Sequence, residues 1–262
     1  MLAMRKSLAS SVKFLPQGLA VLYEDNDILV VDKPSGLLAV ATEREKARTA
    51  HSILTDYIRK GCGRSRKRLY VVHRLDRDTS GTLIFAKSEE AKLRLQDRWK
   101  ETRKKYLAVV HGRCETSSGT ITSYLAEDKR YNVYTTSDST KGKLSQTAYT
   151  VLRVTKRYSL LEVDLLTGRK NQIRVHLASI GHPIVGDTKY GKEDDPQPRM
   201  ALHAWSISFK HPFSGQALSC TSEVPVFFST LVGNVEQDST LQNRRSPGKS
   251  SPAQPRRAGI ST

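Results

Sequence analysis

Residues 73–81, HRLDRDTSG, carry the densest chemistry in the chain. Five of the first six can ionise or hydrogen-bond strongly, yet they lie between LYVV and TLIFA, two stretches of buried-strand type. Two such strands deliver a polar loop to one place, which is how a rigid scaffold presents site residues. Arg74 and Arg77 flank Asp76. Cations beside a carboxylate favour its charged form, and an ionised carboxylate can act as a nucleophile. The same residues also suit a turn held by a structural ion pair, and the loop alone does not decide between the two.

A second polar segment, residues 165–187, reads LLTGRKNQIRVHLASIGHPIVGD. Gly168, Arg169 and Lys170 lead into a short helix whose early amides and basic neighbours can hold phosphate. Arg174 lies within that helix, beside Ile173 and Leu177 on an otherwise apolar face. A buried arginine needs a paired carboxylate, and Asp76 is the candidate partner. Periodicity is equally compatible with a solvent-facing arginine on an amphipathic helix.

Both segments must be held by strands and helices. AVLY and DILVVDKP read as two strands around the turn residues Asp25, Asn26 and Asp27. Ile53, Leu54, Tyr57 and Ile58 recur at helical spacing between Thr49 and Lys60. Ser88 suits an N-cap, with Glu89 and Glu90 in the first turn of the helix that follows. Lys100, Arg103, Lys104 and Lys105 are expected at the end of that helix, where cations meet the negative end of its dipole. YLAVVHG is another strand, TAYTVLRV and YSLLEVDLL form a hairpin, and ALHAWSISF is a late strand. Strands and helices mixed without a strict βαβ repeat predict an α+β domain over residues 18–235.

The formal charge is +17, from 43 Lys and Arg against 26 Asp and Glu. Such an excess raises the local concentration of polyanions, and phosphate neutralisation makes nucleic acid the leading partner class. No apolar run is long enough to span a membrane. Cys62, Cys114 and Cys220 are scattered, so neither a zinc site nor a disulfide framework is expected and a reducing compartment fits. Residues 1–17 are read as a basic N-terminal extension, faintly like an organelle transit peptide. The expected location is nevertheless the cytoplasm, and the expected state a monomer. Residues 236–262, rich in Pro, Ser, Gly and Arg, read as a disordered basic tail.

Taken together, the segments EDNDILVVDKPSGLLA, VVHRLDRDTSGTLIFAKS, KKYLAVVHG, TGRKNQIRVHLASIGHPIVGDTKYG and ALHAWSISFKHP give the chain a family likeness. It resembles the RluA-type pseudouridine synthases over most of its length. The resemblance implies a mixed, mainly antiparallel sheet in two halves with a central catalytic cleft, and catalysis without metal or organic cofactor. It carries the family's catalytic aspartate onto Asp76 and the arginine that holds a flipped-out nucleotide onto Arg74. The tyrosine that stacks on the target base falls on Tyr106, and the arginine paired with the aspartate on Arg174. Arg77, Arg169, Lys170 and Asn171 are expected to contact RNA. Asn171 departs from the family pattern, in which many relatives have His. The residues ahead of the matched segments are too few for the N-terminal RNA-binding module that some relatives carry. Recognition is therefore expected from the catalytic domain and the tail.

The implied reaction isomerises a uridine in a structured ribosomal or transfer RNA. The nucleotide must leave its stack, at a cost of a few kcal/mol. Asp76 then either attacks C1′ or removes a 2′ proton, and the sequence leaves both routes open. A non-catalytic RNA-binding protein of the same fold has no need of Asp76, Tyr106 and Arg174 together. A metal nuclease built on Asp76 and Asp78 lacks a further acidic cluster.

Overall fold

A computed structural model describes residues 13–42 and 48–235. The basic tail, and the N-terminal extension up to residue 12, lie outside the described residues. Residues Lys13–Phe14 already pair with the sheet, ahead of the boundary expected at Gly18.

In chain order the strands and helices are β1 (Lys13–Phe14), β2 (Ala20–Glu24), β3 (Ile28–Lys33), α1 (Ala50–Arg59), β4 (Tyr70–Val71), β5 (Ser80–Ala86), α2 (Glu89–Asp97), β6 (Arg103–His111), β7 (Ser118–Glu127), β8 (Val133–Thr136), β9 (Lys143–Val154), β10 (Tyr158–Leu165), α3 (Gln172–Ser179), β11 (Leu202–Lys210), β12 (Ala217–Thr221) and α4 (Val226–Val232). The described strands form one sheet, ordered β1-β2-β3-β5-β11-β6-β10-β9-β7-β8, with β4 on β5 and β12 on β11. All pairings are antiparallel except β5 with β11. The fold is therefore α+β with a mixed, mainly antiparallel sheet.

The parallel contact is short, His203 against Ser80 and Ala204 against Gly81, and it is where the two halves of the sheet meet. Gly81 makes it possible. Its φ is +112°, and a Cβ there would lie 2.2 Å from the Ala204 carbonyl oxygen. A glycine at this point lets two backbones approach as no other residue would.

β5 is buried along its whole length, which fits its apolar run and its place between helices. On one face α1 packs through Ile53, Leu54 and Ile58 onto Leu29, Val31, Leu83 and Phe85. On the other, Ala91 and Leu95 of α2 pack onto Ile28, Val30 and Ile84. Thr49 and Ser52 form a reciprocal cap for α1, and Ser88 accepts from the Ala91 N–H at the start of α2. Burying each large apolar side chain of this kind contributes roughly 1.5–3 kcal/mol.

One expectation fails here. α2 ends at Asp97, and Arg103, Lys104 and Lys105 begin β6 instead of crowding a helix end. Lys and Arg are good helix formers, but propensity is a weak prior, and pairing with β10 and β11 overrides it. Strands β7 and β8 escaped the sequence reading. They are rich in Ser, Thr and Tyr, and only Leu125, Ala126 and Val133 of them are buried.

Candidate active site

The loop between β4 and β5 hangs from three anchors. Leu75 is buried in the core beside Tyr106 and Ile173. The Arg77 carbonyl accepts from the Gly36 N–H at 3.0 Å. The same carbonyl accepts from the Lys33 ammonium at 2.9 Å. Lys33 also donates to the carbonyls of Pro34, at 2.9 Å, and Leu37, at 2.7 Å. It is completely buried. Burial pulls its pKa down to about 7, against the upward pull of Asp78, Asp76 and Asp32. Sequence reading passed over Lys33 because it ends an apolar strand next to Pro34 and looks like a strand terminus. The signal was a cation inside a buried run.

This lysine gives an opposed pair of pH effects. Turnover should fall as pH rises through about 7, because deprotonation removes one of the three N–H donors that fix the loop. The unfolded chain, where lysine titrates near its ordinary 10.5, binds more protons between those two pH values. The contribution of Lys33 to stability therefore rises with pH across that window. Turnover and thermal unfolding measured on the same pH series check both signs, and a Lys33→Met control should lose both trends.

Asp76 lines a cleft of about 560 Å³ together with His73, Arg74, Trp99, Lys104 and Tyr106. Arg169, Lys170, Asn171 and Arg174 line it too. Arg77 is exposed but does not line this cleft, and neither does Asp78. The trio of possible metal ligands found among the described residues is Asp25, Asp27 and His211, away from Asp76. His211 Nδ1 accepts from the Phe213 and Ser214 N–H groups. Its Nε2 therefore carries the proton and donates to Asp25 at 3.0 Å, which makes the trio a latch between two turns.

Arg174 reaches Asp76 with Nη1 at 3.4 Å. Its main partner is a residue that sequence reading missed. Nε and Nη2 donate to the two oxygens of Asp187, each at 2.7 Å, in a bidentate fork. Burial works against charge on Asp187, but Arg174 and the N–H groups of Lys189 and Tyr190 hold its carboxyl below the usual range. The expected pairing of Arg174 with Asp76 alone is thus too simple: Asp187 fixes the guanidinium through Nε and Nη2, which leaves Nη1 to face Asp76 and Asn171. Gly186 sets up the turn before Asp187. Its φ is +72°, and a Cβ there would lie 2.0 Å from the Arg199 carbonyl oxygen.

Asn171 opens α3 in the left-handed region, φ 52°, which asparagine tolerates better than most residues. Its side chain accepts from Arg174 at 3.2 Å and donates to the Tyr190 hydroxyl at 3.1 Å. Arg169 is exposed at the rim. Lys170 is exposed and paired with Glu127. Arg74 is exposed beside Asp76. Tyr106 is 8% exposed, packed in the core with one side on the cleft. Burial and the neighbouring Asp76 push its phenol above the ordinary tyrosine value. A protonated phenol suits a flat wall and disfavours a phenolate base.

The arrangement joins one carboxylate, one fixed guanidinium, one aromatic face and a basic rim. Comparison with known proteins shows the family. The sequence profile described as RNA pseudouridylate synthase matches residues 27–179. An uncharacterized RNA pseudouridine synthase of Bacillus subtilis, YhcT, is 36% identical over 87% of this chain and 76% of its own length. Ribosomal large subunit pseudouridine synthase D of Nitrosomonas europaea is 36% identical over 82% of this chain and 64% of its own length. Among solved structures, human RNA pseudouridylate synthase domain containing 1 is similar, with a TM-score of 0.68 and 25% identity over 89% of this chain and 97% of that one.

Proposed function

Given that the chain belongs to the RNA pseudouridylate synthase family and is an RNA-modifying isomerase, we propose that Asp76 carries the reaction and that its substrate is a uridine in a structured RNA stem-loop. Relatives named as ribosomal large subunit synthases favour ribosomal RNA over transfer RNA. The observation that carries the reading is the contact of Asp76 with Arg174, whose guanidinium is locked by Asp187, in a cleft also lined by Tyr106.

The target nucleotide leaves its stack and lays its base on Tyr106, while Arg74 braces the vacated space. The N1–C1′ bond breaks with its electron pair on the uracil, whether Asp76 adds to C1′ or takes the 2′ proton. The base turns on the tyrosine face, C5 bonds to C1′ as Asp76 either leaves C1′ or returns the 2′ proton, the C5 proton is lost and N1 gains one. Both routes need a carboxylate aimed at the sugar, and a misplacement of one ångström can cost about 100-fold. Arg174 supplies the aim.

Loss of the C5 hydrogen gives a direct assay. Ribosomal RNA transcripts carrying tritium at uridine C5 should release it to water on incubation with the purified chain. The RNA should stay uncut, and release should persist with EDTA. Cleaved RNA, or binding with no release, would contradict the proposal.

Tyr106 tests the stacking role within that assay. Tyr106→Ala should lower kcat/KM roughly ten- to hundred-fold, since one base–aromatic stack is worth ~1–3 kcal/mol. Tyr106→Phe keeps the face and should retain binding. An equal loss in both variants would move the role of this residue from its ring to its hydroxyl.

A further inference from the structure

Two consecutive lysines of β6 turn opposite ways. Lys105 donates to Glu162 at 2.7 Å and has Asp164 at 3.9 Å. Lys104 points into the cleft on the same strand face as Tyr106. Among the described residues no carboxylate pairs with Lys104, and Asp76 is the only acid among the residues that line the cleft. The Lys104 ammonium lies 5.2 Å from the centroid of the Trp99 ring. Trp99 packs on His73, with ring centroids 4.7 Å apart. His73 Nε2 accepts from the Ile84 N–H at 3.1 Å, so the ring proton sits on Nδ1, which has no hydrogen-bond partner among the described residues. Burial, with the Lys104 charge beside it, pushes His73 down to about 3, so the ring stays neutral and its tautomer stays fixed. Burial also pulls Lys104 below the ordinary lysine value.

Lys104 and His73 thus both line the cleft, each with a donor that has no protein acceptor among the described residues. Leaving a half-buried cation unpaired is costly, and an anion arriving with the ligand removes that cost. We propose that Lys104 and His73, backed by Trp99, form a phosphate subsite that holds a phosphodiester next to the uridine stacked on Tyr106. The inference rests on the reading of the cleft as the uridine site. Residues two apart on a strand stand ~6.8 Å apart, which is the reach from a stacked base to the phosphate of its own nucleotide. A base carbonyl would satisfy His73 but leave the ammonium unpaired, whereas a phosphate satisfies both. Arg74 on the adjoining rim adds to the same field.

The test is an NMR titration of the full chain at low salt with pentauridylate and with its uncharged methylphosphonate-linked counterpart. Pentauridylate should shift the Lys104 ammonium and His73 Nδ1–H resonances saturably. The uncharged oligomer should still move the Tyr106 ring signals but leave those two in place. Lys104→Gln should weaken pentauridylate binding and reduce the slope of log affinity against log salt by about 0.7, the value for one contact to a single strand. Lys104→Arg should keep that slope. Equal shifts from both oligomers, or wild-type affinity and slope in Lys104→Gln, would overturn the subsite. Tyr106 signals unmoved by either oligomer would overturn the uridine-site reading and the subsite with it. If Lys104→Gln folds poorly, the wild-type titration with the two oligomers decides alone.

Discussion

Asp76→Asn is expected to fold, to bind RNA and to lose pseudouridine formation by about 10⁴-fold or more, the scale seen when a central catalytic group is removed. The replacement is nearly isosteric and removes only the charge. The structure also says why stability should survive. The Asp76 side chain is 31% exposed and touches Arg174 with one contact at 3.4 Å. Arg174 keeps its two bonds to Asp187 without it. A melting temperature within a few degrees of wild type, together with retained RNA affinity and absent turnover, is the expected combination. Robust turnover by the purified variant would remove Asp76 from the mechanism.

Arg174→Ala should behave differently, losing activity and stability together. It strands Asp187, whose side chain is fully buried. Breaking such a pair costs ~3–5 kcal/mol, which in a chain of this size lowers the melting temperature by roughly 10 °C. It also frees Asp76 and leaves the Asn171 side-chain oxygen without its donor. A double change, Arg174→Met with Asp187→Asn, separates the two effects. It removes the stranded charge, and the Asn oxygen can still accept from the Lys189 and Tyr190 N–H groups. Much of the stability should return while activity stays lost. Recovery of activity in the double variant would show that the guanidinium does not aim Asp76.

The loop 73–81 stood out as a polar run between two apolar strands, but its residues alone suited a structural ion pair as well, and the catalytic reading came from the family resemblance. For Arg174, periodicity left a buried, carboxylate-paired arginine and a solvent-facing one equally open, and its main partner was not visible at all. Asp187 lies thirteen residues on, behind a turn that depends on the close approach of Gly186 to the Arg199 backbone. Lys33 was hidden for a similar reason, since the carbonyls it serves are brought together by the loop it anchors. Lys104 was misplaced onto a helix end because a basic run after a helix reads as dipole compensation until the pairing of β6 is known. In each case the missing information is a contact between segments distant in sequence, which local periodicity does not contain. The strands β2, β3, β5 and β10 carried strong apolar patterns and were read from them. Strands β7 and β8 bury too few residues to show one.

The central claim is that Asp76 in this cleft makes pseudouridine in cellular RNA. Its most direct test is a pseudouridine map of total RNA from cells with the wild-type protein, without it, and with Asp76→Asn in its place. One or a few uridines in structured RNA should lose modification when the protein is absent and regain it only with the wild-type chain. An unchanged map in its absence, or full restoration by Asp76→Asn, would contradict the claim.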